Sequence, residues 1–345
     1  MSGKIKIGIS VGDINGVGME VVIKTFMDNR MMELCTPVVY GSAHLASTHR
    51  KALGITDFSF HRIKNIKEVN HKKANLLECW QEEVDIALGQ STENGGKYAL
   101  ASLEAATADL ASGNIDALVT APINKDNIQS EEFDFPGHTE YLTEKFEGES
   151  LMLLISDNIK VGVATNHIPL SKVANTLSAD NIFSKLKILN KSLIQDFCIT
   201  SPRIAVLGLN PHAGDNGLIG KEEENIIIPA INNAKSVGVN AFGPYPADGF
   251  FGSGSFSKFD AILAMYHDQG LIPFKSISFG EGTNFTAGLN VIRTSPDHGV
   301  AYDIVGQNKG SESSFRHAIY NACDIYKNRT LSLEMNENPL KAKMK

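Results

Sequence analysis

Short apolar, β-branched runs alternate with helical segments along almost the whole chain, and this alternation is what most limits the fold. Ile5–Val11 reads as a buried strand, which the turn from Gly12 to Gly18 leads into a helix over Met19–Met27. Pro37–Gly41 reads as a second strand. Lys97–Ser112 has the pattern of an amphipathic helix, ended by Gly113 and feeding a strand over Asp116–Thr120. Leu151–Ile155 and Lys160–Thr165 read as neighbouring strands joined by a tight turn. Ala179–Asp196 is predicted helical, Arg203–Leu209 a strand, and Lys221–Ser236 a helix with acids in its first turn, where the helix dipole favours them. Strands over Asp260–Tyr266 and Leu289–Ile292 and a helix over Ser313–Lys327 follow, with a polar tail from Asn336 expected to fray. Such alternation predicts an α/β fold on a mostly parallel sheet with helices on both faces. At 345 residues there is room for two domains. A break near residue 135 is expected, giving a first domain of 1–135 with 300–345 and a second of 136–299.

Charge and composition narrow the partners. The formal charge of −7 argues against a nucleic-acid-binding surface, yet leaves room for a local basic pocket. Hydrophobic residues at 42% and charged residues at 21% match a soluble globular protein, and no apolar run reaches bilayer length. The start runs directly into a strand pattern without a signal-peptide core, so a cytoplasmic protein without a membrane partner is expected. Cys35, Cys79, Cys198 and Cys323 are scattered, which indicates neither a disulfide framework nor a thiolate zinc site.

Three histidines recur at one place in one local pattern. His167, His212 and His267 each follow a strand-like run. In an open α/β sheet, ligands bind beyond the carboxyl ends of strands, so the three imidazoles could converge on one divalent ion. A lone histidine after a strand is more often a hydrogen-bonded loop residue, and the long spacing matches no local metal motif. The pattern alone leaves both readings open.

Other polar groups gather in two stretches. Pro136-Gly137-His138-Thr139-Glu140 enters a helix that Thr139 could cap. The stretch from His267 to Gly310 holds Asp268, Lys275, a glycine-rich loop ending at Asn284, and Arg293, which together suit an anion pocket or a solvated surface. Gly12, Gly16 and Gly18 follow a strand and open a helix, but their spacing is not a dinucleotide fingerprint. A tight turn with Asp13 facing a cleft is the expectation there.

With these residues assembled, the chain resembles the 4-hydroxythreonine-4-phosphate dehydrogenase family of pyridoxal-phosphate biosynthesis. The resemblance runs from the first strand to about Lys327. It rests on the motifs around His138 and Thr139, on Asn166-His167-Ile168-Pro169, Asn210-Pro211-His212-Ala213-Gly214 and Tyr266-His267-Asp268-Gln269, and on Lys275, Asn284 and Ile292-Arg293-Thr294-Ser295. It implies that His167, His212 and His267 hold a divalent metal (zinc, cobalt or magnesium), and that His138, Thr139, Lys275, Asn284 and Arg293 bind a phosphorylated small-molecule substrate. The implied fold is the two-domain isocitrate/isopropylmalate dehydrogenase type, with an active site in the interdomain cleft. Homodimers with a shared active site are implied as well. Asp297, His298, Gly299 and Asp303 resemble the segment that holds the adenosine part of NAD in that superfamily, and NADP is possible. Three departures stand out: Ile14 and Met19 replace prolines of the family pattern, and Gly249 stands where many members have threonine.

The implied reaction is oxidation of 4-phosphohydroxy-L-threonine to a β-keto acid that decarboxylates to 3-amino-2-oxopropyl phosphate. A divalent ion would polarise the substrate hydroxyl, NAD would take the hydride, and Lys275 would transfer a proton or only supply charge. One alternative is a related dehydrogenase acting on phosphorylated threonate or erythronate. Another is a metal-dependent hydrolase in which the three histidines activate water.

Overall fold

The computed structural model of the chain describes residues 4–337, so the tail expected to fray lies outside the described residues from 338 on. In chain order its strands are β1 (Lys6–Ser10), β2 (Thr36–Gly41), β3 (His61–Ile63), β4 (Asn75–Glu78), β5 (Ala117–Thr120), β6 (Leu151–Ile155), β7 (Lys160–Thr165), β8 (Arg203–Leu207), β9 (Asn240–Tyr245), β10 (Ala261–Tyr266), β11 (Thr283–Ala287) and β12 (Arg293–Pro296). The chain forms two compact units, Met1–Gly148 with Phe279–Cys323 and Glu149–Ser278 with Asp324–Lys345.

In the first unit the strand order is β3-β4-β2-β1-β5-β12-β11, parallel except for the β11–β12 pair. β1, β2 and β5 are buried along nearly their full length, as the continuous apolar runs of a sheet covered on both sides require. The helix Glu93–Ala111 starts earlier than its apolar pattern suggests, because the Thr92 hydroxyl accepts the Gly95 N–H and caps it. Its Leu100, Leu103 and Ala106 join Val38, Tyr40 and Leu118 in a core.

In the second unit the order is β6-β7-β10-β8-β9, with β7, β10, β8 and β9 parallel and the β6–β7 pair an antiparallel hairpin. Leu154, Val161, Val163, Leu207, Ile262 and Phe274 form its core. Gly270 lets the helix His267–Ile277 lie directly on β7, since a Cβ there would sit 2.8 Å from Val161 Cγ1. A buried ion pair adds to this unit: Arg329 Nε donates to Asp196 Oδ1 at 2.6 Å, and the Ser192 hydroxyl donates to Oδ2 at 2.6 Å. Arg329→Ala would strand a carboxylate that is 2% exposed, so a loss of about 3 kcal/mol is expected from urea unfolding. A loss below about 0.5 kcal/mol would make the pair a surface contact.

Three expectations are corrected. Arg293 on β12 pairs with Leu118 on β5, which puts it in the first unit although the expected second domain ran over 136–299. The expected strand Leu289–Ile292 is the connection between β11 and β12, because pairing with β5 begins only at Arg293. The expected helix Lys221–Ser236 opens as a π-helical turn over Glu223–Ile227, where the Glu223 carboxylate is drawn inward to backbone donors.

Candidate active site

In the first unit the central feature is a buried cation. Arg293 is 3% exposed, with Nε and Nη2 donating to Thr120 Oγ1 at 3.1 and 2.6 Å and Nη1 donating to Thr286 Oγ1 at 3.3 Å. These partners are neutral hydroxyls. Burial pushes the guanidinium down to about 9, opposed by the field of Glu140, so it stays charged at neutral pH. A buried charge without a paired carboxylate is costly, and an anionic ligand is the natural compensation.

Two unsatisfied polar atoms occur on the same unit. His138 Nε2 and Asn284 Oδ1 are buried and have no hydrogen-bond partner among the described residues. His138 opens the helix His138–Lys145 after an extended Gly137, while Thr139 is buried in its first turn. No side chain caps that helix, so the expected capping role of Thr139 does not hold. Burial, then the positive fields of Arg293 and Lys125, hold the His138 imidazole well below its usual range. It is neutral at pH 7 and offers a lone pair or an N–H to a ligand.

The sign of the pH effect follows. Below pH 6.5 the unfolded imidazole takes up a proton that the folded one resists, so stability falls on acidification and is unaffected above that pH. His138→Gln is expected to flatten the decline between pH 6.5 and 5 by up to about 1.4 kcal/mol per pH unit, measured by urea unfolding. His49, also depressed by burial, contributes equally in both proteins. Identical slopes would mean that His138 titrates normally.

Asp13 does not face a cleft. It is 1% exposed and accepts from Tyr302 Oη at 2.7 Å, Asn127 Nδ2 at 2.8 Å and the Asn15 N–H at 2.9 Å. The Gly12–Gly18 turn is thereby tied to the segment following His298. On that segment Asp303 is exposed, and His298 Nε2 is a buried atom without a hydrogen-bond partner among the described residues. A Cβ at Gly299 would meet nothing within 4 Å. Asp297 is engaged with Ser314, whose hydroxyl lies 3.2 Å from its Oδ1.

In the second unit, the histidines follow the carboxyl ends of three consecutive parallel strands, β7, β10 and β8. The β7–β10 register pairs Thr165 with Tyr266, and the Thr165 hydroxyl donates to Met265 O at 2.8 Å. This brings the His167 and His267 rings to a centroid separation of 5.6 Å. Two imidazoles on one ion with metal–nitrogen bonds of about 2.1 Å would have centroids about 5–6 Å apart, so the pair fits a shared metal. His267 Nδ1 lies 2.7 Å from Asp268 Oδ1, an arrangement that leaves Nε2 for ligation. Both rings line a cavity of about 430 Å³ with Asn166, Leu170 and Tyr266.

His212 is not brought into such a group: among the described residues no three His, Cys, Asp or Glu side chains stand ready to hold a metal. It lies exposed in a loop whose residues 212–217 all have positive φ, from 44° at Asp215 to 85° at Gly217. Left-handed backbone costs about 1–2 kcal/mol per ordinary residue and persists only where its surroundings impose it. Lys275 is exposed two turns along the helix that begins at His267. Asp268, Glu223 and the Asp13–Tyr302 contact went unassigned in the sequence; only Asp268, next to His267, carried a local signal.

A mostly parallel α/β chain with strand-end histidines and a buried arginine is built as an enzyme of the dehydrogenase-like α/β class. Residues 33–322 match the family described as pyridoxal phosphate biosynthetic protein PdxA, and the chain belongs to that family. A 4-hydroxythreonine-4-phosphate dehydrogenase from Bacteroides thetaiotaomicron is 50% identical over 340 residues, covering 98% of this chain and 93% of the relative. The crystal structure of the enzyme of that name from Klebsiella pneumoniae superposes with a TM-score of 0.81 at 32% identity, covering 94% of this chain and 98% of that one. A relative from Oceanobacillus iheyensis, provisionally named a D-threonate 4-phosphate dehydrogenase, is 36% identical over 94% of this chain and 99% of its own length. Family membership makes the chain an oxidoreductase of pyridoxal phosphate biosynthesis and sets the hydrolase alternative aside. No helix among the described residues is long and apolar enough to cross a membrane.

Proposed function

We propose that this chain oxidises 4-phosphohydroxy-L-threonine with NAD at a divalent metal, giving a β-keto acid that loses carbon dioxide to form 3-amino-2-oxopropyl phosphate. The observation that carries the reading is Arg293, a buried guanidinium whose hydrogen bonds among the described residues go to the hydroxyls of Thr120 and Thr286. Its fork binds an anionic group of the substrate. Thr139, Asn284 and neutral His138 orient the remaining polar groups, and the unpartnered atoms of the last two gain hydrogen bonds when substrate arrives. His167 and His267 hold the metal, Asp268 fixes the ring of His267, and His212 is the third ligand. His298, Gly299 and Asp303 hold the adenosine side of NAD, with Asp297 beside them. When bound, the metal supplies Lewis-acid polarisation of the hydroxyl and NAD accepts the hydride. Lys275 Nζ moves the hydroxyl proton or balances substrate charge. We propose further that the enzyme is cytoplasmic and works as a homodimer with a shared active site.

The test is turnover with NAD on 4-phosphohydroxythreonine and 4-phosphothreonate side by side. A strong preference for the first supports the reading. A preference for the second would assign the threonate phosphate activity that the Oceanobacillus relative's name suggests. Asp303 is expected to favour NAD, since a carboxylate accepts from the ribose hydroxyl and repels a 2′-phosphate. Equal kinetics with NADP would remove Asp303 from the cofactor site.

A further inference from the structure

The loop that carries His212 is organised around a carboxylate. Glu223 is 2% exposed and lies in the π-helical turn Glu223–Ile227. Its Oε1 accepts the N–H groups of Leu209 and Asn210 at 2.8 and 2.7 Å, and its Oε2 accepts Asn210 Nδ2 at 2.9 Å. Asn210 Nδ2 also donates to Glu222 Oε2 at 2.7 Å. Glycines let the loop close on this group from both sides: a Cβ at Gly214 would lie 2.6 Å from Glu223 Oε2, and one at Gly208 3.2 Å from Oε1.

These contacts stand on either side of His212. Leu209 and Asn210 lead into it through Pro211, Gly214 follows it, and His212 and Ala213 are in left-handed backbone. Short turns hold the run together, with the Ala213 N–H donating to Asn210 O at 3.1 Å and the Asp215 N–H to His212 O at 3.3 Å, and the Glu223 carboxylate fastens their base to the turn Glu223–Ile227. An inserted helical residue, as in a π-turn, is also a device found often at functional sites, because it redirects a side chain without lengthening a loop.

We propose that Glu223 is a positioning residue: it fixes the backbone that delivers His212 past the end of β8 and so sets divalent-metal affinity without touching the metal. The inference rests on the reading of His212 as a metal ligand. Glu223→Gln keeps the size of the side chain but turns one acceptor into a donor facing donors, so the loop loses its anchor.

Cobalt(II) alone, titrated into the full-length protein and followed by its visible d–d absorption, tests this. Glu223→Gln is expected to weaken cobalt binding about 10- to 100-fold, the usual effect of losing a group that orients a ligand. His212→Ala should weaken it at least as much. Combining the two should add less than about twofold, because Glu223 acts through His212. Wild-type cobalt affinity in Glu223→Gln would overturn the proposal. So would an undiminished effect of Glu223→Gln in the His212→Ala background, which would mark a general structural role. If His212→Ala itself binds cobalt like wild type, the three-histidine reading falls first. Should Glu223→Gln fail to fold, Asn210→Ala removes only side-chain bonds to the two carboxylates. It is expected to show a smaller loss of cobalt affinity with the same dependence on His212, and no loss would count against the anchor.

Discussion

Replacing His267 with alanine is expected to abolish metal retention and lower kcat/KM more than about a hundredfold while leaving the fold intact. The magnitude follows from a comparison: groups that merely orient a metal ligand are worth about 10–100-fold, so a ligand itself must be worth more. The intact fold follows from position. His267 lies just beyond β10, half-exposed, and its ring contacts are to His167 and Asp268 and not to the core. Substitutions of this kind usually change stability by about 0.5 kcal/mol or less. Asp268→Asn offers a graded companion. It keeps a hydrogen-bond acceptor beside Nδ1 but loses the charge, so a drop of roughly tenfold is expected with the ring still in place. Metal analysis of the purified variants, thermal unfolding and steady-state kinetics separate the cases. Full metal content and turnover in His267→Ala would end the metal reading at its best-supported ligand.

Much of this arrangement was legible because it is local. A strand end is marked by where an apolar run stops, and a histidine at that point is visible in the chain. The order β7-β10-β8 then sets the three endings side by side, a fact of topology that no run of residues states. Thr139 was misread as a cap because Gly137 enters the helix extended and the helix begins at His138. Asp13 was misread as facing a cleft because its partners, Asn127 and Tyr302, lie 114 and 289 residues away. Glu223 looked like one acid among three at a helix start, where dipole attraction explains acids well enough. Only its burial and the backbone donors of Leu209 and Asn210 set it apart from Glu222 and Glu224. The boundaries of the two units escaped for a related reason. Arg293 lies within the predicted second domain in sequence, yet its ladder partner Leu118 belongs to the first unit.

Arg293→Lys is the sharpest test of anion recognition, because it keeps the charge and removes the geometry. A guanidinium has five N–H donors. The hydroxyls of Thr120 and Thr286 take one from each of its three nitrogens, which leaves one on Nη1 and one on Nη2. Those two remain for two oxygens of a phosphate or carboxylate. A lysine ammonium carries three donors on one nitrogen; two would go to the threonines and a single one would remain. Turnover per unit substrate should therefore fall at least about tenfold, roughly 1.4 kcal/mol or more of transition-state stabilisation. Metal content should not change, since the histidines are untouched. Arg293→Met separates binding from folding. It removes a buried charge whose hydrogen bonds among the described residues go to neutral hydroxyls, so the variant should be about as stable as wild type, while activity falls further than in the lysine variant. The same guanidinium would thus add little to the empty fold and serve the loaded one. If the lysine variant keeps wild-type kinetics, or the methionine variant unfolds, Arg293 is a structural residue and the anion must be held elsewhere.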